Sequence, residues 1–231
     1  MKNNPIFCAI DTVDVEAARA TAAKLSGLIG GIKLGLEFFT ANGGEGVRRV
    51  MDGADLPLFL DLKFHDIPNT VAGAVRGISS LAPAFFTIHA GGGSAMMKAA
   101  VEAAGGRSKV LAVTILTSLS ESDMEPLGIG GKVADQVKRL ADLAQGAGVD
   151  GLVCSPQEVQ MLRGHLGDAM ALVVPGIRPA GSAADDQART LTPAQALRAG
   201  ADHLVIGRPI TASADPAQAA KAILASLSES V

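Results

Sequence analysis

Three charged side chains crowd the end of a segment that otherwise reads as core: Asp61, Lys63 and Asp66 in Phe59-Leu60-Asp61-Leu62-Lys63-Phe64-His65-Asp66-Ile67-Pro68-Asn69-Thr70. Leu58 to Leu62 has the pattern of a buried strand, and side chains alternate along a strand, so Asp61 and Lys63 point to one face. A lone buried charge is costly, so the two must be paired or ringed by further charges in a site. Asp66 follows where the strand has given way to a turn, and Pro68 suits the first turn of a helix. Such a constellation at the mouth of a fold supports acid–base and electrostatic chemistry.

The elements that must position these charges alternate. Apolar strands are predicted at Ile6–Ile10, Ile29–Leu34, Leu58–Leu62, Ala84–His89, Val110–Leu116, Gly151–Cys154, Ala171–Val174 and His203–Ile206. Ala-rich helical stretches lie between and after them, at Val15–Leu25, Gly43–Met51, Ile67–Leu81, Gly93–Ala104, Gly131–Gly146, Pro156–His165, Thr192–Ala199 and Pro216–Leu227. Strands and helices in strict alternation indicate parallel β/α topology. The expected fold is an α/β single domain over residues 1–231, a (β/α)₈ barrel of the TIM type, compact against the usual length of about 250 residues. A doubly wound open sheet is the alternative, with fewer strands for this length.

Barrel enzymes keep their chemistry at the C-terminal ends of the strands. There the sequence places Asp11, Lys33-Leu34-Gly35, the Asp61/Lys63 pair, His89, Thr117-Ser118, Pro175-Gly176 and Gly207-Arg208. Simpler readings exist for several of them. Asp11 could cap the first helix, Lys33 could snorkel from the barrel mouth, and Asp66 could be an acid favoured by a helix N-terminus. His65 is out of phase with the charges and reads as a packing or interface residue, His89 as the support of a tight turn, and His165 and His203 as structural. Gly207-Arg208 joins a close backbone approach to a two-pronged cation, which suits a phosphate. The segment from about 176 to 191 lacks strand or helix pattern and carries Arg178 and Gln187. Loops this long in compact domains are usually lids or binding loops, although a tolerated surface loop is the plainer reading.

Composition excludes several classes. The net charge is −3, with no Lys/Arg run to suit nucleic acid or a membrane surface. Aromatics are 3% of the 231 residues, too few for base-stacking platforms. Hydrophobic residues at 48% against 19% charged provide for a core rather than disorder. No apolar run approaches the length of a membrane span, and the start of the chain shows no signal-peptide pattern. Cys8 and Cys154 read as buried free thiols, which fits a reducing cytoplasm. No His, Cys or Glu spacing suggests a metal site.

The run Asp61-Leu62-Lys63-Phe64-His65-Asp66-Ile67-Pro68-Asn69-Thr70 resembles the signature of the orotidine 5′-phosphate decarboxylase family. The resemblance extends along the chain through Asp11, Ile32-Lys33-Leu34-Gly35, Leu116-Thr117-Ser118, Pro175-Gly176-Ile177-Arg178-Pro179 and Gly207-Arg208-Pro209. It implies cofactor-free decarboxylation of orotidine 5′-phosphate to uridine 5′-phosphate, in the cytoplasm, by a homodimer of barrels. In it Asp66 and Thr70 would serve the partner's site. Lys33, Asp61, Lys63 and the partner's Asp66 would form the charged array, with Lys63 facing C6 of the pyrimidine. Asp11, Lys33 and Thr70 would hold the ribose, Thr117 and Ser118 the ring, and Arg178, Gln187, Gly207 and Arg208 the phosphate. Two rival readings are a metal-dependent sugar-phosphate decarboxylase or aldolase of the same suprafamily, and a phosphate-binding barrel without activity. The first of these needs an acidic metal ligand near the end of strand 2, where this chain has Lys33.

Overall fold

The structure is a computed structural model that describes residues 4–179 and 191–228. Eight apolar runs form strands β1 (Ile6–Ala9), β2 (Gly31–Gly35), β3 (Leu58–Phe64), β4 (Phe85–His89), β5 (Lys109–Val113), β6 (Gly151–Val153), β7 (Ala171–Val174) and β8 (His203–Ile206). Each lies parallel to the next, and β8 closes on β1 through Ile6–Leu204, Phe7–Val205 and Cys8–Ile206. The sheet is therefore the closed (β/α)₈ barrel expected from the alternation, and it forms a single domain. Strands buried on both faces need no polar alternation, which is why they read as continuous apolar runs.

The helices α1 (Val15–Leu25), α2 (Leu36–Met51), α3 (Pro68–Ile78), α4 (Gly93–Ala104), α5 (Glu121–Met124), α6 (Val133–Gly146), α7 (Val159–Leu166), α8 (Pro193–Arg198), α9 (Arg208–Thr211) and α10 (Pro216–Ser228) connect the strands or follow the last. Boundaries depart from the sequence reading in three informative places. Helix α2 begins at Leu36, not Gly43, because Gly43 supplies a kink (φ 60°) inside the element rather than its start. Strand β5 ends at Val113, three residues early, so Thr117 and Ser118 sit in an exposed turn closed by Leu119 N–H donating to Leu116 O. Strand β3 runs on to Phe64, two residues late, and so carries Lys63 within the barrel wall.

Two layers of apolar packing hold the frame. The larger lies between the strands and helices and includes Phe38, Leu60, Phe86, Met96 and Ile206. The smaller fills the barrel with Phe7, Ala9, Phe59, Phe85, Leu111, Val173 and Val205. Phe7, Phe59 and Phe85 meet edge to face, with ring centroids 5.3–6.0 Å apart, and His203 packs edge-on against Phe7 and Phe85. Gly31 leaves room for this floor, since a Cβ there would lie 2.4 Å from the Phe7 ring. Cys8 and Cys154 are both free and buried, and burial pushes the Cys8 thiol up to about 12. Among the described residues no helix is long and apolar enough to cross a membrane.

Candidate active site

One step up each strand from the aromatic floor, the inward positions become polar. Phe59 is followed on its face by Asp61, Phe85 by Thr87, and Ala9 pairs in register with Lys33. Asp61 is the hub. Its Oδ1 accepts from Lys63 Nζ at 2.8 Å and from Thr87 Oγ1 at 2.9 Å, while Oδ2 lies 3.5 Å from Lys33 Nζ. Lys33 Nζ also lies 3.4 Å from Asp11 Oδ1 at the rim. Side-chain exposure grades outward, from 11% for Lys33 and 15% for Asp61 to 28% for Lys63 and 61% for Asp11. The alternating chain Asp11–Lys33–Asp61–Lys63 is thus most buried at its centre and reaches the barrel mouth at both ends.

The electrostatics follow from this order. Burial works to raise the Asp61 pKa, but the ammoniums of Lys33 and Lys63 and the hydrogen bonds from Lys63 and Thr87 outweigh it. The carboxyl is held below its usual range. Asp61 is therefore ionised at neutral pH and can hold both lysines. Gly35, in register with Asp61, keeps the space before Lys33 open, because a Cβ there would come within 3.2 Å of its Nζ.

The sequence-predicted residues fall into three groups. Lys33, Asp61, Lys63 and Asp11 are brought together. Asp11 does not cap α1; that task falls to Asp14, whose Oδ1 accepts from the N–H groups of Glu16 and Ala17 at 2.8 and 3.0 Å. Gly207 joins the same rim, since a Cβ on it would point toward Ala9 and Asp11 Oδ2, and Arg208 follows it exposed at the start of α9. Thr117 and Ser118 line the exposed turn after β5. Asp66 and Thr70 are exposed on the loop after β3 and the first turn of α3. Asp66 Oδ1 accepts from Ile67 N–H at 2.7 Å, and among the described residues it makes no ion pair within its own chain. The segment from 176 to 191 is anchored at both ends: Ile177 bridges Leu191, and Arg178 N–H donates to Leu191 O at 3.1 Å. Arg178 Nη1 donates to Ile177 O at 3.2 Å. Gln187 and the rest of that segment lie outside the described residues.

Thr87 is the residue that sequence reasoning missed. It is fully buried, yet it bonds directly to Asp61 and, through the Lys63 amide, to the backbone of Lys63. Its signal was available: a hydroxyl inside the apolar run Phe85-Phe86-Thr87-Ile88, in phase with Phe85. Of the two histidines nearby, His65 and His89 place their rings 5.5 Å apart beside the charges. Burial, His65 and Lys63 lower the His89 pKa, with Asp61 opposing, so its ring is neutral at neutral pH.

Comparison with known proteins assigns this arrangement. The sequence pattern described as "Orotidine 5′-phosphate decarboxylase / HUMPS family" matches residues 4–223. The chain belongs to this family. Among its relatives within the orotidine 5′-phosphate decarboxylase / HUMPS family, the orotidine 5′-phosphate decarboxylase of Rhodospirillum rubrum is 55% identical, covering 96% of this chain and 94% of that protein. The decarboxylase of Thermobifida fusca is 51% identical, over 96% and 95% of the two chains. The crystal structure of the Lactobacillus acidophilus orotidine 5′-phosphate decarboxylase superposes with a TM-score of 0.85 at 35% identity, covering 97% of this chain and 99% of that one. The Lactobacillus acidophilus enzyme thus shares this chain's barrel over nearly its whole length.

Proposed function

We infer that the protein decarboxylates orotidine 5′-phosphate to uridine 5′-phosphate without a cofactor. The observation that carries the reading is the contact of one buried carboxylate, Asp61, with both Lys33 and Lys63 at the barrel mouth. When the C6–carboxylate bond breaks, its electron pair stays on C6 of the pyrimidine, with no adjacent carbonyl to absorb it. A fixed ammonium offsets that charge most where water is excluded, and Lys63, the less buried of the two lysines, is the one that can meet it. The same ammonium then gives C6 the proton that replaces carbon dioxide, and solvent returns the proton to the amine. Asp61 keeps Lys63 charged and aimed. Lys33, drawn between Asp11 and Asp61, faces the ribose, and Thr117 and Ser118 read the ring.

The phosphate end has its own supports. Gly207 and Arg208 sit on the rim after β8, on the side of Asp11, and Arg178 stands at the base of the anchored 176–191 segment. In this reading the segment, Gln187 included, closes over the phosphate as a lid, and that remote binding lowers the barrier at C6. The chain works as a homodimer in the cytoplasm. Asp66, Thr70 and Ile67 form an exposed patch beside the site, and among the described residues Asp66 makes no ion pair in its own chain, which suits a residue given to the partner's array.

The rival reading is a metal-dependent sugar-phosphate decarboxylase or aldolase of the same suprafamily, which would need an acidic ligand near the end of β2. Lys33 stands there, and its ammonium would repel a divalent cation. Following the loss of orotidine 5′-phosphate absorbance in excess EDTA separates the readings. Undiminished turnover is expected; turnover that vanishes with chelator assigns the metal enzyme, and none under any condition leaves a phosphate-binding barrel.

A further inference from the structure

Strands β3 and β4 do not run in simple register. Leu60 pairs with Phe86, but the next pair is Phe64 with Ile88, so β3 spends four residues where β4 spends two. The excess is absorbed in a bulge at Lys63, whose φ of 48° is a left-handed value that a non-glycine residue adopts at a cost. A bulge of this kind needs something to hold it. The Lys63 amide donates to the Thr87 hydroxyl at 2.8 Å.

That bond dictates the direction of the next one. An amide N–H can only donate, so the hydroxyl must accept from it and turn its own hydrogen elsewhere. The hydrogen goes to Asp61 Oδ1 at 2.9 Å, the same oxygen that holds Lys63 Nζ at 2.8 Å. Backbone amide, hydroxyl, carboxylate and ammonium close a ring that begins and ends on Lys63. Thr87 is fully buried, so no water can replace its hydroxyl without rearrangement.

We propose that Thr87 is a positioning residue for the decarboxylation, its hydroxyl fixing the Lys63 bulge and the Asp61 carboxylate together so that the Lys63 ammonium arrives at a defined point. The proposal rests on the reading that Lys63 protonates C6. Thr87 bonds to the Asp61 carboxylate and the Lys63 amide and acts through them.

The test compares Thr87→Val, which keeps the branched shape and removes the hydroxyl, with Thr87→Ser, which keeps the hydroxyl. With Val, kcat for orotidine 5′-phosphate should fall about 10–100-fold, as expected for a misplaced catalytic group. KM and the affinity for uridine 5′-phosphate should move much less. Asp61 also loses a bond to its charged form, so the acid limb of the kcat/KM profile should shift to higher pH. Ser should restore both kcat and the profile. Uridine 5′-phosphate binding reports folding, and Thr87→Ala removes the hydroxyl with less bulk if the Val chain does not fold. Wild-type kcat and an unmoved pH profile in the Val or Ala chain would overturn the proposal, as would a Ser chain as impaired as Val. A wild-type protein that turns over no orotidine 5′-phosphate would instead remove the functional reading on which the proposal stands.

Discussion

Replacing Asp61 by Asn tests whether this carboxylate holds the site together. The change is nearly isosteric, so its effect is one of charge. At the observed separations of 2.8 and 3.5 Å from Lys63 and Lys33, an effective dielectric near 20 gives attractions of roughly 6 and 5 kcal/mol. Desolvation cancels much of this in the intact protein. Removing only the carboxylate keeps that penalty and leaves two ammoniums facing each other, so Asp61→Asn should cost about 3–5 kcal/mol of stability. Lys63→Met should cost less, about 2 kcal/mol, because Asp61 keeps Lys33 and Thr87. Urea unfolding at fixed protein concentration reads both, with a midpoint shift of about 1–2 M expected for Asp61→Asn. The pH dependence has a definite sign. A carboxylate whose folded pKa is depressed stabilises the protein above its ordinary value of 3.8 and loses that contribution as pH falls through the folded value. The gap between wild type and Asp61→Asn should therefore be constant near neutrality and narrow in acid. An Asp61→Asn protein as stable as wild type at neutral pH, or less perturbed than Lys63→Met, would refute the hub role.

Two further outcomes are expected. Lys63→Ala should lower turnover of orotidine 5′-phosphate by about 10⁴-fold or more, combining the loss of a proton donor and of a fixed charge, while calorimetry shows uridine 5′-phosphate binding largely kept; near-normal activity would remove Lys63 from the mechanism. Mixed Asp66→Asn and Lys63→Ala subunits, each inactive alone, should recover up to about a quarter of wild-type activity, since half the dimers are hybrids with one complete site. No recovery despite demonstrated subunit exchange would place Asp66 in its own subunit's site.

The legible parts of the sequence were those where a local rule and the global fold agree. Apolar runs in alternation with helical stretches gave the barrel, and charge at strand ends picked out Asp11, Lys33, Asp61 and Lys63. Period-two alternation put Asp61 and Lys63 on one face, but it could not reveal the bulge that actually presents Lys63, because a bulge is a property of the pairing with β4. Thr87 was hidden for the same reason: a lone hydroxyl in a strand gains meaning only when the neighbouring strand sets a carboxylate and an orphaned amide beside it. Asp11 was ambiguous until Asp14 was seen to take the cap. The early end of β5 escaped notice because Thr114, Ile115 and Leu116 continue the strand's apolar, β-branched composition beyond its last ladder bond.

The aromatic floor of Phe7, Phe59 and Phe85, with His203 wedged against it, imposes a traffic rule. Among the described residues, a barrel stoppered beneath its charges is approached from the rim. In the proposed reaction the nucleotide, carbon dioxide and the proton that recharges Lys63 would all pass this rim.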